Sequence, residues 1–446
     1  MLNRAPLEAM KRIFNEKANL QRWLDVEASL SRAEAAVGII PREAAEEISA
    51  KAKVELIDEE YRKQELERIG HKMTATIHAF QRACQGDAGE YIHWGSTSQD
   101  IMDTADQMAM KQAHSIIFES LRKIEENLLE IAEHEADTIM AGRSYGQHAL
   151  PLTFGFKVAV WIREIRRHIE RLKESRKRLF VGQFAGVVGT YASFGERGPE
   201  IEAMVLSELG LGIPDICWHS SRDRSAEFAC IVAMIAATLG KIASEIYFLQ
   251  HTEVAEVEEP IAAGRVGSST MPHKRNPHIC EFSVTLAKRI KYFAALAIEG
   301  MFVEHERGGA GWNVQRDTLG EMCILTGELL GRMDMVTKGL VVHSDAMRRN
   351  LNILKGLILS ESVMLELGQS VGRQTAHEMV YRASMKTYRE GISFKEALMK
   401  YSDIAEHLNK VQIDNLLNPA NYVGLAPKIA RKVVALTRKE HEDDLK

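Results

Sequence analysis

The sequence predicts an all-α protein dominated by a bundle of long helices, on three observations. Its ten prolines lie at 6, 41, 151, 199, 214, 260, 272, 277, 419 and 427, which leaves 42–150 and 278–418 without that helix breaker. Both stretches are rich in Ala, Leu, Glu, Lys, Met and Arg, the good helix formers. Strand signals are scarce: few runs alternate with period two, and no Asn-Gly or Asp-Gly turn joins such runs.

Several helical seams exceed an ordinary globular helix. From Phe228 the apolar positions Val232, Ile235, Leu239, Ile242, Ile246 and Leu249 follow at steps of three and four, a seam about 30 Å long if helical throughout. Similar stripes run through 104–134, 153–180 and 281–303. Rods of this length bury their seams against each other, and some against other subunits. A purely structural coiled coil would not need the islands of Gly, His, Ser and Thr that interrupt them. Three regions are expected: an N-terminal helical domain (1–103), a central long-helix bundle (104–344) holding a loop at 264–281, and a helical C-terminal domain (345–446).

At 446 residues the chain can bury a large core, and its 45% hydrophobic and 27% charged residues are ordinary for a soluble globular protein. A net charge of −5 gives no basic field to draw nucleic acid. The basic run Arg163 to Arg178 is mixed with acidic residues at helical period and reads as a solvated face. No signal peptide and no membrane span is expected. Five dispersed cysteines without a CxxC pair argue for a reducing compartment, with the cytoplasm as the default.

Four islands carry the chemistry. His93-Trp94-Gly95-Ser96-Thr97-Ser98-Gln99-Asp100 precedes a helix, where Thr97, Ser98 and Asp100 suit N-cap positions. Free N–H groups and hydroxyls at such a start also suit a carboxylate. Gly142-Arg143-Ser144-Tyr145-Gly146-Gln147-His148 lies ahead of Pro151. Trp218-His219-Ser220-Ser221-Arg222-Asp223-Arg224 reads either as an exposed capped loop or as an Arg-rich anion clamp. The fourth, Gly264 to Pro277, has two glycines, two prolines and three consecutive hydroxyls, which forbid regular helix and suggest a mobile loop between rods.

The run GSSTMPHKRNP, with Glu281 following, resembles the signature loop of the fumarase/aspartase superfamily, which includes adenylosuccinate lyases and carboxymuconate cycloisomerases. The islands around Thr97-Ser98 and Gly142-Arg143 match in order, and His305-Glu306-Arg307 falls where related lyases carry a similar segment. The resemblance implies an all-α three-domain subunit with a long central helical bundle. It also implies a homotetramer whose active sites collect islands from different subunits. The implied chemistry removes a proton next to a carboxylate and expels a leaving group from the neighbouring carbon. Ser268 would be the base, and a loop closing around it must supply positive potential, because a free serine hydroxyl is a poor base. Lys274 and Asn276 would stabilise the aci-carboxylate intermediate. Thr97, Ser98 and Gln99 would hold substrate carboxylates, with His93, Arg143, Gln147, His148, Ser269, Met271, Arg307 and Arg316 as further substrate-binding residues. No metal or cofactor is expected: HExxH is absent, and His273 and His278 lie in the loop without acidic partners.

Within the superfamily the residues point two ways. Where adenylosuccinate lyases carry a general-acid histidine, this chain has Tyr145, whose reference pKa near 10 makes it a slower donor at neutral pH. His71 stands where those lyases carry a second histidine, and either it or Tyr145 is a candidate acid. HWGSTSQD, the Trp218-His219 pair and GGAGWNVQRDTL look more like carboxymuconate cycloisomerases. Trp312 stands where adenylosuccinate lyases place paired serines near a nucleotide phosphate, so a small dicarboxylate is the expected substrate. The leading expectation is a β-elimination that cleaves a C–N or C–O bond in a substituted succinate, adenylosuccinate-lyase-like. Lactonisation of a carboxylated muconate is the alternative. A catalytically silent homologue is the reading from another class, and an intact Ser268, Lys274 and Asn276 argues against it.

Overall fold

A computed structural model describes residues 3–261 and 270–444. The N-terminal region holds α1 (Ala5–Phe14), α2 (Glu16–Ala36), α3 (Arg42–Lys51), α4 (Glu59–Ile69) and α5 (Lys72–Ala83). The longest helix, α6 (Ser98–His134), leads into the hairpin β1 (Ile139–Ser144) and β2 (Gln147–Thr153), then α7 (Phe154–Leu179) and the short α8 (Gly198–Glu208). Next come α9 (Asp223–Leu249), β3 (Val257–Glu258), α10 (His278–Glu299), α11 (Gly309–Gly339) and β4 (Val341–Val342), which pairs with β3. The chain finishes with α12 (Ser344–Leu351), α13 (Ser360–Val371), α14 (Arg373–Glu390), α15 (Phe394–Met399), α16 (Ser402–Ala405), α17 (Lys410–Leu416) and α18 (Ala426–Asp443).

The four expected stripes become α6, α7, α9 and α10, and α11 joins them as a fifth rod. The seam of α9 is buried along its length, from Phe228 through Ile235 and Ile242 to Leu249. Among the described residues α9 alone is long and apolar enough to cross a membrane, but 72% of its most apolar window is buried inside the bundle. Its hydrophobicity therefore serves the core.

Two details differ from the sequence reading. The second island is a β-hairpin in which Arg143 pairs with His148 and Ser144 with Gln147, next to a bulge between Ala141 and Arg143. Its tip is Tyr145-Gly146, with φ of +52° and +77°, the left-handed pair that a two-residue hairpin turn requires. The last helix, α18, returns from the C-terminal region to the central rods. There Arg166 sits in a buried cluster with Glu125 and Asp444, at 2.6 Å from Asp444.

The rods also fix distances. At 37 residues, α6 is about 55 Å long. The 27 residues of α9 carry the chain about 40 Å back along the bundle. Whatever lies at one end of these rods is far from whatever lies at the other.

Candidate active site

The first island forms one end. Thr97 is the N-cap of α6, and the Asp100 carboxylate accepts the Thr97 backbone N–H at 3.1 Å. Arg307, from the segment joining α10 to α11, reaches across to this helix start. Its Nη1 donates to Thr97 Oγ1 at 2.7 Å and to the Val187 carbonyl at 3.1 Å, while Nε donates to Gln99 Oε1 at 3.1 Å. The result is a guanidinium held beside the N-terminus of a long helix, with only neutral acceptors among the described residues. Both features favour an anion. Ser98, half-buried, opens the helix next to it. Gln99 is committed inward, giving its amide to Asp103 and to the His219 carbonyl.

His93 enters the same end on a left-handed backbone, φ +64°, and is anchored by Glu27 of α2, whose Oε1 lies 2.6 Å from its Nδ1. Burial opposes charge on this imidazole, yet the buried Glu27 carboxylate outweighs it and raises the pKa above its ordinary value. Glu27 is a partner that no local pattern marks. His305 and Tyr145 adopt positive φ as well. Left-handed non-glycine residues thus occur in two of the islands and in the segment that carries Arg307.

Beneath this end lies a closed polar network. His219 Nε2 is 2.8 Å from Asp100, and Arg222 donates to Asp103 at 2.8 Å and to Gln315 at 3.0 Å. Gln183 and Trp312 complete Asp103 at 2.9 Å each. The third island is therefore an exposed loop only at Ser220, Ser221 and Asp223, and no open anion clamp at Arg222: Trp218, His219 and Arg222 are buried. Burial disfavours the charged imidazole, but the bond to Asp100 and the Cys217 thiol raise His219 to about 9. On α2, burial and the neighbouring Glu27 raise Glu34 to about 9.

Both folded pKa values exceed their unfolded values, so the folded state holds the extra protons and stability falls as pH rises toward 9. Melting temperature is expected to decrease steadily between about pH 6.5 and 9, and His219→Gln to flatten part of that slope. A profile flat over this window in the parent protein would contradict these assignments. Asp103→Leu is expected to cost about 3–5 kcal/mol, because it strands the buried Arg222. Chemical denaturation checks that value.

The remaining candidates lie at the other end. On the hairpin, Arg143 is held by Glu256 through two bonds of 2.9 and 2.7 Å, and Asn350 braces the same carboxylate at 2.8 Å. Tyr145 projects fully exposed from the tip, and Gln147 is exposed beside it. His148 is partly buried, and that burial, with Arg143 adjacent, lowers its pKa. Met271, His273, Lys274 and Asn276 line a cleft of about 820 Å³ together with Gln250, Glu258 and His343. The loop is pinned as it leaves this cleft: Arg275 pairs with Glu258 at 2.6 Å, and Glu259 caps α10 by accepting from Ile279 and Cys280. His278 does have an acidic neighbour, Glu281 at 3.6 Å, contrary to the sequence expectation. Ser268 and Ser269 lie outside the described residues.

Two candidates stand apart from both groups. His71 is the exposed N-cap of α5, with Nδ1 accepting from the Thr74 N–H at 3.2 Å. Arg316 pairs with Asp106 at 2.6 Å, two helical turns along α6 from Gln99. The chain thus brings together His93, Thr97, Ser98, Gln99 and Arg307 at one end of the rods. It gathers Arg143, Tyr145, Gln147, His148, Met271, Lys274 and Asn276 at the other.

The chain matches the family described as "Lyase" over residues 4–291 and the adenylosuccinate lyase C-terminus over 356–433. It is 43% identical to N-acetyl-S-(2-succino)cysteine lyase of Dickeya dadantii, covering 95% of this chain and 93% of that one. It is 40% identical to adenylosuccinate lyase of Methanocaldococcus jannaschii, again covering 95% and 93%. The structure of 3-carboxy-cis,cis-muconate lactonizing enzyme from Pseudomonas putida superposes with a TM-score of 0.90 at 33% identity, covering 98% of this chain and 97% of that one. By these matches the chain belongs to the fumarase/aspartase superfamily and is an enzyme of it.

Proposed function

We propose that this enzyme eliminates the substituent from a substituted succinate, releasing fumarate, and that the leaving atom is the sulfur of a thiol or the nitrogen of an amine. The observation that carries the reading is Arg307 against Thr97 at the start of α6, a cation and a helix N-terminus in position to hold a dicarboxylate. Trp312 favours a small leaving group over a nucleotide, since its indole is tied to Asp103 beside that clamp. The 43% identity to a succinocysteine lyase supports a thiol, which sets C–S beside C–N cleavage in place of the C–O alternative expected from sequence.

The site is shared between copies of the chain, as expected for a homotetramer. Its support is the separation of the two groups by the length of α6, together with apolar side chains on α10 that stay exposed among the described residues. Phe282, Tyr292 and Leu296 are all exposed there. In such a site Ser268 takes the proton, Lys274 and Asn276 stabilise the intermediate, and Tyr145 or His71 protonates the leaving group.

Lactonisation is the second reading, favoured by the close superposition on the lactonizing enzyme and by a tyrosine at the hairpin tip. NMR of a panel separates the two: N-acetyl-S-(2-succino)cysteine, adenylosuccinate, argininosuccinate and 3-carboxy-cis,cis-muconate. Fumarate is expected from the first and little or none from adenylosuccinate. Lactone from the muconate with no fumarate from any succinate would overturn the lyase reading.

A further inference from the structure

The His93 imidazole is gripped on one side and open on the other. Nδ1 lies 2.6 Å from Glu27 Oε1 and 3.1 Å from Ser96 Oγ, while Nε2, across the ring, makes no hydrogen bond among the described residues. The side chain is 18% exposed, and it belongs to the island whose Thr97 and Gln99 hold Arg307. A purely structural histidine would be closed on both sides, as His219 is between Asp100 and Cys217.

Glu27 faces this ring from within the protein. Its side chain is 2% exposed, and its second oxygen, Oε2, is buried with no partner among the described residues. A buried carboxylate with a single imidazole beside it favours the imidazolium. Two carboxylates act on His93, Glu27 from α2 and Asp100 from α6. Asp100 is engaged elsewhere, by His219 at 2.8 Å and by the Thr97 and Gly186 N–H groups at 3.1 and 3.0 Å. Further along α2, burial and Glu27 raise Glu34 to about 9, so it adds no second negative charge at neutral pH.

We propose that Glu27 is a positioning residue for substrate binding: it holds His93 as an imidazolium whose Nε2–H donates to the second carboxylate of the dicarboxylate that Arg307 binds. This rests on the dicarboxylate reading above and gives its second carboxylate a cation of its own. The charge-assisted bond tightens binding and makes it depend on pH. Burial opposes the charge and Glu27 overcomes it, so His93 titrates above its ordinary value. The bond is present below that value and is lost as pH rises through it.

Calorimetry with succinate, a dicarboxylate without a leaving group, tests this on the full chain between about pH 6 and 9. In the parent, Kd is expected to rise through a midpoint above about 6.5. Glu27→Gln is expected to move that midpoint to lower pH. Its binding is then about tenfold weaker near neutrality and meets the parent's at alkaline pH, and Glu27→Asp recovers part of the loss. Kinetics on the succinate that is turned over show the same split, with KM rising and kcat holding within about twofold. His93→Gln removes the midpoint, a result that holds even where Glu27→Gln fails to fold. The double variant binds no more weakly than His93→Gln alone. No saturable succinate binding, a parent profile flat over this range, unchanged binding in His93→Gln, or a folded Glu27→Gln with the parent's midpoint overturns the proposal. A parent that binds succinate with the expected profile but releases no fumarate removes the assigned reaction and leaves this role of Glu27 standing.

Discussion

Ser268→Ala is expected to lower kcat by about 10²–10⁴-fold, the usual weight of a positioned base, while leaving the fold intact. The fold is insulated from the change because the loop is anchored beyond it, by Arg275 on Glu258 and by Glu259 capping α10. Substrate affinity should move little, since the clamp of Thr97 and Arg307 is untouched. Stopped-assay kinetics together with a melting curve check both halves. Unchanged turnover would remove Ser268 from the mechanism whatever the substrate.

Arg307→Ala should act on binding. The variant keeps Thr97 and the helix start but loses the guanidinium charge of the clamp, so about 2–5 kcal/mol of affinity for the dicarboxylate should vanish. This appears as a fall of kcat/KM carried mainly by KM. Stability should change little, because among the described residues Arg307 bonds only to the neutral acceptors Thr97, Gln99 and the Val187 carbonyl. Arg307→Lys should recover part of the loss, limited by a single point charge in place of a planar fork. A fall in kcat at constant KM would instead place Arg307 with the reacting atoms.

Much of this was legible in the sequence, for identifiable reasons. Apolar steps of three and four from Phe228 to Leu249 located α9 because a helix buried among rods shows its seam directly. Thr97 read correctly as an N-cap because that geometry is local. The β-hairpin was missed: its turn is Tyr145-Gly146, and tyrosine is not a residue from which a left-handed turn is inferred. The ambiguity of the third island resolved inward, since Arg222 finds Asp103 and Gln315 only after α6, α9 and α11 pack. Glu27 beneath His93 and Glu256 beneath Arg143 were invisible for the same reason: each partner lies 66 or 113 residues away. Arg316 illustrates the limit of motif matching. Its position fits a substrate contact, yet its side chain is paired with Asp106 on the wall of a different cavity.

The central claim is that one chain holds two half-sites at opposite ends of α6, so that only an assembly is active. Subunit complementation tests it most directly. Ser268→Ala and Arg307→Ala are purified separately, mixed under conditions that exchange subunits, and assayed for fumarate release at substrate near the parent KM, far below that of Arg307→Ala. Activity is expected to rise from near zero to about one quarter of the parent, the chance that a random site draws an intact Ser268 from one copy and an intact Arg307 from another. A mixture no more active than its components, with hybrid assembly confirmed by mass spectrometry, would mean that Ser268 and Arg307 serve one site from a single chain and would contradict the account.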